Sequence, residues 1–309
     1  MGRRGIGPTV GRRGAGDKVR RARAEWRALR SYPTVGDPVL AFLPHPTPLL
    51  EGTLVARHDR FLADVRLPDG RLVVAWCVNP GQMEGMVRSG ARVWLSRVPP
   101  SSPRKLRYTW ELVELDGVIV GANTSAPNRI ARALLEARSL PGLKRYRGLR
   151  SEVQDGAMRV DFRVEQGGRP HLVEIKNCHL VYPDGRGYFP DTVSERASRH
   201  LGELAARAED GAKATVLFTV QHPGARALRP SALHDPAFAG AARAAADRGV
   251  RIRAVEAVAS PEGYAVTREI PVDLRPYDAE RLAAYREANR PWSGWERRGA
   301  RRGPPSRAP

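Results

Sequence analysis

Between residues 49 and 122, apolar and polar positions alternate in short runs: GTLVARH, FLADVRL, RLVVAWC, ARVWLSRV, YTWELVEL and VIVGAN. Successive strand side chains point to opposite faces, so a period of two buries one side of each run and leaves the other in water. Turn signals separate the runs. Two of them, PDG (68–70) and LDG (115–117), predict tight hairpins. Regularly spaced strands with no helix between them predict a small barrel or sandwich.

After NTSAPN (123–128) the period becomes helical. Ser125 reads as an N-cap with Pro127 in the first turn, and Ile130, Ala133, Leu134 and Ala137 share one face. RSEVQ, MRVDFRVE and HLVEIKN then read as three strands. DTVSERASRHLGELAARAED reads as a helix with Val193, Ala197, Leu201, Leu204 and Ala208 on its apolar side. KATVLFTV is almost continuously apolar, as a strand covered on both faces must be. A helix near 236–248 and the run VRIRAVEAV complete the alternation, which predicts an α/β sheet with helices on both faces. The expected fold class is thus α+β with two domains, a β-barrel followed by an α/β domain.

Composition adds a partner. The chain has 309 residues, with 52 Lys+Arg against 33 Asp+Glu and a formal net charge of +19. An excess of that size points to a polyanion, most often nucleic acid. It is unevenly placed: residues 1–36 carry ten Lys/Arg and two Asp/Glu, and residues 275–309 carry nine Arg and four Asp/Glu. The first segment is Gly/Arg-rich and poor in large apolar residues, so disorder is expected, with a short helix over about 18–30 on contact with an anion. The divisions read from sequence are a basic arm and linker (1–48), a barrel domain (49–122), an α/β domain (123–274) and a basic low-complexity tail (275–309). Cys77 and Cys178 make no disulfide framework and lack metal-site spacing, which predicts a reduced, cytoplasmic compartment. No apolar run approaches the roughly 18 residues a membrane span needs, and the basic N-terminus has no h-region, so no membrane partner is expected.

The candidate chemistry lies in HLVEIKN. Glu174 and Lys176, two apart, emerge on one face of a strand whose other residues are apolar, and RVDF (159–162) puts Asp161 on the preceding strand. If those strands are neighbours, Asp161 and Glu174 share a hard divalent cation such as Mg2+, with Mn2+ as the alternative. Lys176 then orients the attacking water or stabilises the developing anion, and Glu152 adds a carboxylate. Spacing alone also fits a solvated edge strand. The apolar flanks, the net charge, and Arg196, Arg199 and His200 on the following helix favour the metal site.

These residues resemble the PD-(D/E)xK nuclease fold, and over residues 49–273 the chain resembles the sugar fermentation stimulation protein A (SfsA) family. The matching stretches are RFLADVRLPDG, NPGQM, RKLRYTWEL, VGANTSAPN, RSEV, RVDF, VEIKN, GYFPDTVSERASRHLGEL and GVRIRA, in that order. The resemblance implies an N-terminal OB-fold that binds nucleic acid and a nuclease-type C-terminal domain. It implies Asp161 and Glu174 as metal ligands, Lys176 as the catalytic lysine and Glu152 as a supporting carboxylate. It departs at Ala133, where the family often has Glu; the nearest acid is Glu136.

On the barrel, Arg104, Lys105 and Arg107 interleave with Tyr108 and Trp110, a pattern in which cations track phosphates and aromatics stack on bases, unless Trp110 is core. Arg57, His58 and Arg60 form a second basic rim, with Arg57 and Arg60 as phosphate contacts; Arg196 and His200 are expected to contact nucleic acid beside the metal. NPGQM (79–83) predicts a tight loop, and Asp191 a helix N-cap or a group near the metal. The expected activity is Mg2+-dependent hydrolysis of phosphodiester bonds in DNA or RNA. The rival is a DNA-binding regulator of sugar metabolism genes without turnover.

Overall fold

The computed structural model describes residues 39–156 and 158–297; the expected disordered arm, its helix over 18–30 and residues 298–309 lie outside the described residues. The strands are β1 (Ala41–Pro44), β2 (Leu50–His58), β3 (Leu62–Arg66), β4 (Leu72–Trp76), β5 (Arg92–Arg97), β6 (Tyr108–Leu115), β7 (Val118–Gly121), β8 (Arg147–Asp155), β9 (Met158–Gln166), β10 (Arg169–Cys178), β11 (Arg186–Phe189), β12 (Lys213–Val220), β13 (Ala227–Pro230), β14 (Arg251–Ala259) and β15 (Gly263–Ile270). The helices are α1 (Ala126–Glu136), α2 (Glu195–Glu209), α3 (Pro236–Asp247) and α4 (Ala283–Asn289).

β2 to β6 close into a five-stranded barrel. β2 pairs with β3 and β5, β3 with β4, and β5 with β6, all antiparallel, and a parallel contact of Ala75 and Trp76 with Tyr108 and Thr109 shuts it. This Greek-key connectivity is that of an OB-fold. Both sequence-predicted hairpins are present, at β3–β4 and at β6–β7. The interior is filled by Leu54, Val65, Ala75, Met83, Leu95, Trp110 and Val113 among others.

The second sheet has seven strands in the order β1-β15-β14-β12-β10-β9-β8, with β10, β12 and β14 parallel at its centre. α1 packs on one face through Ile130, Ala131, Leu134 and Leu135, where Val173, Ile175 and Leu217 meet it. α2 and α3 cover the other through Ala197, Leu201, Leu204, Phe238 and Ala242. The apolar run of β12 is buried along nearly its whole length, as its composition predicted.

Several segments differ from the sequence reading, β11, β13 and β15 being strands it did not include. β1, inside the expected linker, is an edge strand of the α/β sheet, so the barrel is inserted between β1 and the rest of its domain. The segment after 275 is not featureless. Leu282 is buried with Tyr182 and Tyr188, Tyr277 and Tyr285 pack on them, and Glu296 bridges to His58 of the barrel. Large aromatics spaced along a basic segment supply the apolar contact that low complexity would not.

Candidate active site

The antiparallel ladder between β9 and β10 runs from Gln166↔Arg169 to Phe162↔Val173 and ends there, while β10 continues to Cys178 against β12 alone. Beyond the fork, the Asp161 side chain takes over the work of a ladder carbonyl. Its Oδ2 accepts the Ile175 N–H at 2.7 Å, and Asn128 Nδ2, from the first turn of α1, donates to Oδ1 at 2.9 Å. Asp161 is therefore fixed at the point where the strands part.

Along β10, Val173 and Ile175 enter the α1-side core and Leu172 enters the α2-side core. Alternation then sends Glu174 and Lys176 toward α2. Glu174 is only 4% exposed. Its Oε1 receives both the Lys176 ammonium and His200 Nδ1 of α2, the latter at 2.8 Å. Its Oε2 is buried with no hydrogen-bond partner. A buried acceptor left unsatisfied costs roughly 1–3 kcal/mol, more for a charged group, so this oxygen is poised for something outside the chain.

The electrostatics agree. Burial, reinforced by the neighbouring Glu174 charge, pushes the Asp161 carboxyl above the ordinary range, against the pull of Ile175 N–H and Asn128. Burial also presses Glu174 upward, but Lys176 and His200 together outweigh it and hold that carboxyl low. Two interacting carboxylates, one destabilised as an anion and one with an unpartnered oxygen, are the oxygen donors that the described residues could offer a hard cation.

Several expected residues lie elsewhere. Glu152 is exposed, has φ 54° and pairs with Arg159 on the adjacent strand, and it forms no three-membered ligand group with Asp161 and Glu174. Among the described residues no three His, Cys, Asp or Glu side chains gather to hold a metal, which leaves two carboxylates. Glu136 does not replace the family Glu at Ala133: it is exposed and pairs with Arg132 at 3.1 Å. His200 is buried on Glu174 rather than open to a nucleic acid, whereas Arg196 is exposed. Asp191 neither caps α2, which Ser194 does, nor joins the carboxylate pair. It accepts the Met83 N–H at 3.1 Å and so ties the NPGQM loop to the start of α2. In that loop Asn79 Oδ1 accepts the Gly81 N–H at 2.9 Å, an Asx turn that makes the tight loop expected of NPGQM.

The barrel also corrects the sequence reading. Trp110 is 0% exposed in the barrel interior, and Tyr108 is half-buried against the same cluster. Arg57, 2% exposed, spends its guanidinium on the carbonyls of Arg60, Asn79, Gly81 and Gly294 and has no donor to offer a phosphate. Arg107 donates to the carbonyls of Val98, Pro99 and Ser102. Arg60 and Lys105 are exposed, and Arg104 is half-buried over the Trp76 ring. Asn128 carries no signal of its own in the sequence beyond its place in VGANTSAPN, because a helix N-terminal Asn bonded to a strand carboxylate leaves no periodic pattern.

Comparison with known proteins gives the same architecture. Residues 55–122 match the family model of the SfsA N-terminal OB domain, and residues 125–263 that of the sugar fermentation stimulation protein RE (restriction endonuclease-like) domain. A sugar fermentation stimulation protein homolog of Thioalkalivibrio sulfidiphilus is 41% identical over 228 residues, covering 73% of this chain and 96% of that one. Another, of Methylorubrum extorquens, is 44% identical over 234 residues, covering 74% and 93%. The solved structure of Pyrococcus furiosus SfsA in complex with Ca2+ superposes with a TM-score of 0.69 at 26% identity, covering 75% of this chain and 99% of that one. An OB barrel joined to a restriction-endonuclease-like domain, with relatives matched over nearly their full length, shows that this chain belongs to the sugar fermentation stimulation protein (SfsA) family.

Proposed function

We propose that the chain is a divalent-metal-dependent nuclease that hydrolyses phosphodiester bonds in DNA or RNA, with Mg2+, or alternatively Mn2+, as its metal. The observation that carries this is the buried, unpartnered Oε2 of Glu174 in a domain of restriction-endonuclease type, with Asp161 bonded to the backbone N–H of the next residue, Ile175. Asp161 and Glu174 are the residues that would hold the cation. The Pyrococcus relative was solved with Ca2+, another hard divalent ion that takes oxygen ligands. When bound, the cation supplies Lewis-acid charge to a phosphate oxygen and raises the nucleophilicity of water at neutral pH. The chain's own groups do the rest. Asn128 and Ile175 N–H fix Asp161, while Lys176 and His200 occupy one oxygen of Glu174 and leave the other buried without a partner. Lys176, half-buried beside the pair, is the donor that meets negative charge building on the phosphate.

The test is cleavage of labelled single- and double-stranded DNA and RNA by the full chain, with Mg2+, Mn2+, Ca2+ or chelator. Mg2+ should support cutting that chelator abolishes. Asp161→Asn and Glu174→Gln should lower the rate by at least roughly 100-fold, on the scale of losing an electrostatic stabiliser. Lys176→Met should lose turnover while calorimetry still finds metal bound. Variants that cut at the parental rate overturn the site. Tight binding of nucleic acid with no turnover under any metal would favour the second reading, a DNA-binding regulator of sugar metabolism genes. The small ligand set of two carboxylates is the observation on that side.

A further inference from the structure

With Trp110 inside the barrel and Tyr108 half-buried against the same core, the stacking role read from sequence loses its central ring, yet three aromatic rings lie open to solvent. Phe61 is 41% exposed, Trp76 36% and Trp295 38%. Each is accompanied by an arginine. The Arg60 guanidinium lies 5.3 Å from the Phe61 ring centre and 5.7 Å from that of Trp295. Arg104 lies 4.3 Å over Trp76. Cation and ring are thus already paired, an arrangement that offers a base both a π-face and a neighbouring positive charge.

The topology explains why they gather. Counting strands within the barrel, Phe61 and Arg60 belong to the turn between the first and second (β2 and β3), Trp76 ends the third (β4), and Arg104 lies in the connection between the fourth and fifth (β5 and β6). On an OB barrel these connections and the face of the second and third strands are where oligonucleotides lie. Trp295 comes from elsewhere, beyond residue 263 where the family match ends. Its segment is laid against the end of β2: Asp59 N–H donates to Glu296 O at 2.9 Å, and Glu296 N–H to Arg57 O at 3.1 Å. The foundation is rigid. The buried Arg57 guanidinium bonds the carbonyls of Arg60, Asn79, Gly81 and Gly294, locking the turn, the NPGQM loop and the C-terminal segment into one body. Arg60 Nε also donates to Pro80 O at 2.9 Å. That loop is held by Asp191, three residues before the cap of α2, which carries His200 of the carboxylate site.

We propose that Phe61, Trp76 and Trp295, with Arg60 and Arg104, form a stacking surface for single-stranded nucleic acid, completed by a C-terminal segment outside the family match. A duplex hides its base faces, whereas a single strand presents them, and the net charge of +19 favours a polyanion over an apolar or cationic partner. This rests on reading the chain as a nucleic-acid protein and not on its cutting anything.

The experiment uses the full chain carrying Asp161→Asn, so that the probe survives, with an oligothymidylate about 15 nucleotides long and a duplex of equal length. Phe61→Ala, Trp76→Ala and Trp295→Ala should each weaken single-strand binding roughly fivefold to hundredfold. Duplex binding and the salt slope should stay as they were, since no charge is removed. Trp76→Phe and Trp295→Phe should keep most of the affinity, and thermal melting shows whether any variant is misfolded. A triple alanine variant that melts normally and binds single strands like its parent overturns the proposal. So does an equal loss on duplex and single strand. If the parental chain binds single strands through these rings yet cuts nothing, the nuclease reading falls and the surface stands. If it cuts but the triple variant binds unchanged, the surface falls and the nuclease reading stands.

Discussion

His171 and His222 are buried imidazoles held far below their ordinary range. Burial, helped by the charges of Arg251 and Lys213, lowers His171 to about 4, and burial lowers His222 to about 4. The unfolded chain binds these protons near pH 6.5 and the folded chain only near 4. Between those values the unfolded state holds more protons, so stability falls as pH falls through that window and is complete above it. The loss by pH 5 is on the order of 2 kcal/mol per histidine. Urea midpoints measured from pH 7 to 4.5 should drop accordingly, and the His171→Gln, His222→Gln double variant should show a flatter profile; equal slopes would remove these two groups from the acid response. Individual side chains also show where sequence reading succeeds. Glu174 and Lys176 were legible because the i, i+2 spacing fixes a shared face whatever the tertiary fold. Trp110 was not. β6 holds one extra residue, Glu111, between the partners of Trp94 and Leu95, and this bulge turns both Trp110 and Val113 into the barrel. Arg57 was misread because a basic side chain is assumed solvated unless carbonyls from three separate segments converge on it.

Elements with strong periodicity, such as α1, α2 and the six barrel runs, were readable from sequence; those made by long-range pairing were not. β1 is four residues ending in proline, too short to signal a strand, and exists because β15 is there to receive it, with Ala41↔Val266 and Pro44↔Gly263 in register. The pairing is close. A Cβ on Gly263 would lie 2.3 Å from Leu43 O and 2.9 Å from Pro44 Cα, both backbone atoms with little room to retreat. Gly263→Ala should therefore loosen β1, at an overpacking cost of roughly 1–3 kcal/mol. Hydrogen exchange reads this directly: the Leu40 amide, which donates to Val266 O at 2.7 Å, should lose protection while the amides of β10 and β12 keep theirs. Retained protection at Leu40 would mean that the edge accommodates the methyl group. α4 was missed for a related reason. Its own Tyr285 is only partly buried, and it is held with the neighbouring Leu282 and Tyr277 against Tyr182 and Tyr188, a cluster assembled from distant parts of the chain.

The barrel and the α/β domain are joined through cores as well as through the chain. Trp94 and Leu112 of the barrel lie in the same apolar cluster as α1. At a second junction Glu84 accepts from Tyr182 Oη at 2.8 Å and Asn289 Nδ2 at 3.1 Å, and meets His234 Nε2 at 2.7 Å. On the proposed function, a strand bound on the barrel would be held by a body continuous with Asp161 and Glu174. Charge is distributed differently from this frame: ten Lys/Arg precede residue 37, before the first described strand. Under the proposed function these charges would add phosphate contacts. Removing residues 1–36 should weaken nucleic-acid binding and flatten its salt dependence by roughly 0.7–0.9 in log–log slope for each phosphate no longer neutralised. Preference among sequences should not change, because phosphate contacts position a ligand without reading it. The Trp295→Ala variant gives the complementary result, lower affinity at unchanged slope, so titrations at several salt concentrations separate arm from surface. A truncated chain with the parental slope would assign the arm's charge to some other partner.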